Sequence, residues 1–138
     1  MEKNKAYQNL LNKMFMIENI GEILYKALIS KAKDNNLRLI YERLALNERE
    51  IAKSIAEEIL TINNSHYIVI NETVLKLTKI ICSTLTARQL AWILKSVLKR
   101  RAYSKWYNRY NDNNQDFWRL LLNHENLQHE LLRPFWNS

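Results

Sequence analysis

The sequence predicts an all-α protein: an antiparallel four-helix bundle, with a long crossover containing a short helix between its second and third helices. Three observations lead there. Gly and Pro occur once each, which argues against a β-protein of many tight turns and permits long uninterrupted helices. Apolar residues recur at alternating spacings of three and four, the period of an amphipathic helix. The turn signals are few, and they separate two helical hairpins by a middle segment of about 24 residues, long enough to cross over a bundle. Residues 1–138 suit one domain with one sizeable core.

The first helix is expected over residues 7–33. Leu11, Met14, Glu18, Gly21, Tyr25, Leu28 and Ala32 share one face. Asp34-Asn35-Asn36 reads as a turn, with Asp and Asn side chains bonding the local backbone. The second helix is expected over residues 37–62, with Leu37, Tyr41, Leu44, Glu48, Ile51, Ile55 and Ile59 inward. Asn63-Asn64-Ser65 ends it. His66 to Ile70 reads as a short extended crossing and residues 71–83 as a short helix bearing Val74, Leu77 and Ile81 on one side.

Thr86-Ala87-Arg88-Gln89 reads as a capping box. A long third helix is expected from there to Tyr110, with Leu90, Ile93, Val97, Arg100, Ser104 and Tyr107 inward. Asn111-Asp112-Asn113-Asn114 is a turn. The last helix is expected over residues 115–133, with Pro134 just past its end. Its stripe is Trp118, Leu121/Leu122, Glu125, Gln128/His129 and Leu132.

Each stripe thus carries a charge: Glu18, Glu48, Arg100 and Glu125. A buried carboxylate is costly unless it is paired, hydrogen-bonded or bound to metal. Four helices each supplying one such residue is the layout of a site in a bundle core.

The residues from Glu18 to Tyr25, with Leu28 and Ala32-Lys33-Asp34 beyond them, resemble the first-helix motif of rubrerythrins and related ferritin-like proteins. The segment from Leu44 to Ala52 resembles their second-helix motif, in which a Glu is followed three residues later by a His. The resemblance covers roughly residues 14–60; over residues 86–132 it rests on helix spacing and on Leu122, Glu125 and Leu132. It implies a ferritin-like bundle in which two glutamates and two Glu-x-x-His pairs hold two metal ions.

Carried over by position, Glu18, Glu48 and Glu125 match three of the glutamates. Ile51 and Gln128 stand at the two lost-ligand positions where histidines belong, and Arg100 stands at the third-helix glutamate. His129, four residues after Glu125, is a candidate replacement ligand on the same face. His124 and His66 read as surface or capping residues.

Four carboxylates, two neutral imidazoles and two divalent ions sum to zero, whereas three carboxylates and Arg100 sum to −2. A guanidinium holds two carboxylates bidentately and keeps its charge. Arg100 is therefore expected to replace one metal, bridging Glu125 with Glu48 or Glu18. The cofactor expectation is none, or a single weakly bound divalent metal, iron or manganese, in an oxygen-rich site. No haem and no flavin are expected.

The net charge is +7. Between Thr86 and Asn111 stand seven basic residues and no acidic ones. Arg101, Lys105 and Arg109 follow helical spacing, with Tyr103, Trp106 and Tyr110 interleaved. Cations beside stackable rings are one way to hold nucleic acid. Basic outer faces and aromatic cores are also ordinary in helical bundles.

Cys82 is the only cysteine, which excludes an internal disulfide, a cysteine zinc cluster and the cysteine-rich iron domain of a complete rubrerythrin. The polar opening Met1-Glu2-Lys3-Asn4-Lys5 lacks a signal-peptide apolar region, and no apolar run approaches a membrane span. The expected location is cytoplasmic, with no membrane partner and a homodimer as the expected assembly.

The leading functional expectation is a degenerate ferritin-like protein that has lost di-iron oxidase chemistry and serves as a structural or interaction module. The alternatives are a metal-dependent oxidoreductase, mono-metal or altered di-iron, handling iron or peroxide, and a basic helical nucleic-acid-binding protein.

Overall fold

A computed structural model describes residues 2–62, 68 and 70–136. The elements among these residues are all helical. They are α1 (Glu2–Lys31), α2 (Asn35–Ile62), α3 (Glu72–Thr84), α4 (Ala87–Lys99), α5 (Ala102–Tyr110), a 3-10 turn (Asn111–Asn113) and α6 (Gln115–Trp136). The crossing expected at His66 to Ile70 falls mostly outside the described residues.

The helix starts are set by local chemistry. The Leu37 amide donates to Asp34 Oδ1 at 3.1 Å and opens α2. The Val74 amide donates to Asn71 Oδ1 at 3.1 Å and opens α3. Thr86 and Gln89 form the expected capping box at α4, with bonds of 3.0 and 3.1 Å. The Phe117 amide donates to Asn114 Oδ1 at 3.2 Å at α6. Each cap satisfies an amide that has no partner within its helix.

The other end of α3 is held from a distance. Lys31 Nζ, at the end of α1, donates to the carbonyls of Cys82 at 2.9 Å and Ser83 at 3.2 Å, and also to that of Leu85. A cation at the negative end of the α3 dipole fixes α3 against α1.

The expected stripes of α1, α2 and α6 hold. Leu11, Met14, Glu18, Tyr25 and Leu28 are buried, as are Tyr41, Leu44, Glu48, Ile51, Ile55 and Ile59, and Trp118, Leu121, Glu125, Gln128 and Leu132. The third long helix differs. It breaks at Arg100 and Arg101 into α4 and α5. Arg101 takes φ 46° and ψ 50°, the left-handed region, which costs a non-glycine residue about 1–2 kcal/mol. The buried face of α4 is Leu90, Leu94 and Leu98, while Val97 is 49% exposed. The inward face thus follows four-residue steps and leaves Val97 and Arg100 outside.

The last helix also runs past its expected end, through Pro134 to Trp136. Proline removes only one amide from a final turn. That turn is held by Trp136, whose ring meets His129 edge-on at 5.6 Å and whose carbonyl accepts from Lys95 Nζ at 3.2 Å.

Two apolar clusters lie along the helices. One contains Tyr25 and Leu28 of α1, Tyr41 and Leu44 of α2, Leu90, Leu94 and Leu98 of α4, and Leu132 of α6. The other contains Leu11 and Met14, Ile51, Ile55 and Ile59, Tyr103 of α5, and Trp118 and Leu121. Between them in each sequence lie Glu18, Glu48 and the segment from His124 to Gln128. Among the described residues no helix is long and apolar enough to cross a membrane.

Candidate metal centre

Glu18 on α1, Glu48 on α2 and His124 on α6 meet in the interior. Glu18 is 2%, Glu48 5% and His124 3% exposed. His124 Nε2 lies 3.4 Å from Glu18 Oε2 and 3.3 Å from Glu48 Oε1. One ligand atom from each residue lies within 4.8 Å of the others. Nitrogen and carboxylate ligands bind divalent transition ions at about 2.0–2.2 Å, which sets tetrahedral donors about 3.4 Å apart. The spacing around His124 therefore matches that of ligands sharing one ion.

The surroundings orient each ligand. His124 Nδ1 donates to the Asn47 side-chain oxygen, which turns the Nε2 edge of the ring toward the two carboxylates. The Gln128 amide donates to that same Nε2 at 3.1 Å, and the Tyr25 hydroxyl donates to Gln128 Oε1 at 2.6 Å. Tyr103 donates its hydroxyl to Glu18 Oε1. Burial and then the Glu18 charge push the Tyr103 hydroxyl well above its ordinary range, so it remains a donor. Burial and Glu18 act on Tyr25 in the same direction. Glu18 Oε2 is buried and accepts no hydrogen bond. An acceptor left this way costs free energy unless a cation meets it.

Gly21 supplies room. A Cβ at this position would lie 2.8 Å from Glu48 Oε2 and 3.0 Å from its Cδ. The Glu48 carboxylate thus rests against bare α1 backbone, one turn from Glu18.

Glu125 is buried as expected but has another task. Its Oε1 accepts the Tyr103 amide at 3.1 Å and its Oε2 accepts the Ser104 amide at 3.1 Å, together with the Ser104 hydroxyl. Glu125 therefore caps α5, which has no side-chain cap of its own. Three donors and the positive end of a helix dipole offset its charge. They also offset the cost of the left-handed Arg101 just before α5.

Arg100 does not replace a metal. Its side chain is exposed, its amide bonds the Val97 carbonyl at 3.2 Å, and no ion pair joins it to Glu18, Glu48 or Glu125. The expectation assumed a continuous third helix, and the break at Arg101 removes that phase. His129 is buried but is not in the cluster. Its Nε2 donates to the Leu98 carbonyl at 2.8 Å, near the end of α4. Burial holds the His129 imidazole below its ordinary range. Ile51 is packed in an apolar cluster, and Gln128 bonds Tyr25 and His124. The donors for a second ion are therefore absent from both lost-ligand positions.

His124 and Tyr103 were missed by the reading of the sequence. Phe117 and His124 share helical spacing with Leu121 and Gln128 of the expected stripe, which is a signal for His124. A fourth buried carboxylate, Glu58, carries no signal in the apolar stripe of α2. Glu58 accepts from the Tyr7 hydroxyl at 3.0 Å and from Asn114 Nδ2 at 3.1 Å, and Trp118 Nε1 donates to Tyr7 at 2.9 Å. Every member of this group is satisfied within the protein, which marks it as a tie between α1, α2 and α6.

Of the aromatic residues interleaved with Arg101, Lys105 and Arg109, two are used internally. Tyr103 is buried and Tyr110 stacks on Trp118 at 6.0 Å. Lys105 and Arg109 are exposed, Arg109 lies over the Tyr110 ring at 5.4 Å, and Arg101 donates to Asn126 at 3.4 Å. The chain matches no family model, no curated protein and no solved structure in the comparisons made with them.

Proposed function

We propose that this is a ferritin-like four-helix bundle that has lost the paired-metal centre and binds one divalent cation, iron or manganese, between Glu18, Glu48 and His124. The observation that carries the reading is the position of His124 Nε2, 3.3–3.4 Å from both carboxylates, with the ring held there by Asn47. Charge supports it. With Glu125 offset by the start of α5, the carboxylates of Glu18 and Glu48 sum to −2, which one divalent ion neutralises.

The order of the two apolar clusters along the chain supports the bundle. α1 runs from the Leu11 cluster to the Leu28 cluster, and α2 runs back. Leu90 to Tyr103 also runs back, and α6 returns. The second and third arms of the bundle then run in the same direction, which supports a crossover connection through α3. All three ligands come from one chain, so the expected homodimer is not needed to complete the site.

The oxidoreductase alternative has one feature in its favour: three protein ligands leave coordination positions open for a reactant. Metal analysis of protein purified without chelator tests the main reading. One ion per chain supports it; two ions per chain, or none after addition of Mn²⁺ or Fe²⁺, would overturn it. Turnover of peroxide with added iron would support the oxidoreductase alternative.

A further inference from the structure

A cavity of about 260 Å³ opens beside two of the three ligands, Glu18 and Glu48. Its side walls include Ile17, Ile20 and Leu24 from α1, Ile93 and Val97 from α4, and Trp106 from α5. Glu18, Glu48, Tyr103 and Glu125 form its polar side. Ile17 is 37% exposed and Val97 49% exposed, so these two residues border the open end. Ala102, Tyr103 and Trp106 of α5, just past the break at Arg101, complete the lining.

We propose that the cavity binds a neutral apolar molecule carrying one hydroxyl-type oxygen, with that oxygen toward the metal and Glu18 and the carbon chain between Ile20, Ile93 and Trp106. Three considerations define this class. The volume exceeds the roughly 150 Å³ that holds benzene in an apolar protein cavity, so a chain of about eight carbons fits. The walls are aliphatic and aromatic, which favours hydrocarbon. Charge selects the polar end. Glu18, Glu48 and one divalent ion already sum to zero, and the start of α5 offsets Glu125, so an anionic ligand meets no unmatched positive charge.

The polar end of this ligand rests on the metal reading above; the apolar seat does not. The test is calorimetric titration of Mn²⁺-loaded protein with 1-octanol and, separately, with octanoate, which has the same chain length and a negative charge. The expected result is saturable binding of 1-octanol, with octanoate weaker by at least about tenfold. Ile20→Trp fills the cavity and Val97→Trp obstructs its exposed border; both should abolish 1-octanol binding while the protein still binds one Mn²⁺ per chain.

Failure of the two readings is separable because Mn²⁺ stoichiometry is measured first. Absence of Mn²⁺ uptake defeats the metal reading. With Mn²⁺ bound, no saturable 1-octanol binding, equal binding of octanoate, or unchanged binding in both tryptophan variants would overturn the cavity proposal.

Discussion

Gly21 and Glu48 are matched across the α1–α2 contact: a single added Cβ at 21 would come within 2.8 Å of Glu48 Oε2. The only glycine of the chain sits in mid-helix, where glycine costs about 1 kcal/mol relative to alanine. Gly21→Ala should therefore separate stability from binding. The helix gains from alanine, and the displaced carboxylate loses its alignment with His124. The expected result is a melting temperature of metal-free protein that is unchanged or higher, with Mn²⁺ affinity lower by about tenfold or more. Calorimetry and thermal unfolding of the same sample check both.

Asn47 and His124 make a second prediction. Asn47 touches no cation in this account; it holds the imidazole so that Nε2 faces the carboxylates. Asn47→Ala should lower metal affinity about 10–100-fold while keeping one site per chain. His124→Ala should remove binding within the micromolar range. Equal affinities in wild type and Asn47→Ala would show that the imidazole needs no such support.

Glu125 and Arg100 should behave in opposite ways to the expectation from sequence. Glu125→Ala leaves the Tyr103 and Ser104 amides and the Ser104 hydroxyl without their acceptor. The expected loss is about 1–3 kcal/mol in urea unfolding. Arg100→Ala should change stability by no more than about 0.5 kcal/mol, as is usual for an exposed residue away from any network. A large effect of Arg100→Ala would restore the idea that its charge serves the interior.

The pH dependence of stability should carry a contribution from His129. Burial lowers its pKa in the folded protein, although its bond to the Leu98 carbonyl acts the other way. The unfolded imidazole takes up its proton near pH 6.5, before the folded one does. The unfolded state then binds more protons, so the His129 contribution is complete above about pH 6.5 and decreases as pH falls below it. Comparing wild type with His129→Gln in chelator, between pH 7.5 and 5, should show a shallower fall for the variant. Parallel curves would contradict the assignment.

The parts of this fold that could be read in the sequence are those set by local spacing. Glu18 and Glu48 fall within unbroken stripes of i, i+3 and i+4 residues, and their inward direction follows. The caps at Asn71 and Thr86 lie within four residues of the groups they satisfy. Glu125 was half legible: its burial follows from the stripe, but its partners at Tyr103 and Ser104 stand 22 and 21 residues away. That contact caps α5 and sets where it starts, so no local pattern revealed the break at Arg101. Arg100 was misplaced for that reason. His124 is obscured by its neighbour, because the stripes through His124 and Glu125 overlap on α6 and both are buried.

The most direct measurement of the central claim is a Co²⁺ titration of metal-free protein, followed by its visible absorption, in wild type and His124→Ala. The account predicts a spectrum that saturates at one Co²⁺ per chain in wild type and is lost in His124→Ala. Saturation at two ions, or the same spectrum in both proteins, would contradict it.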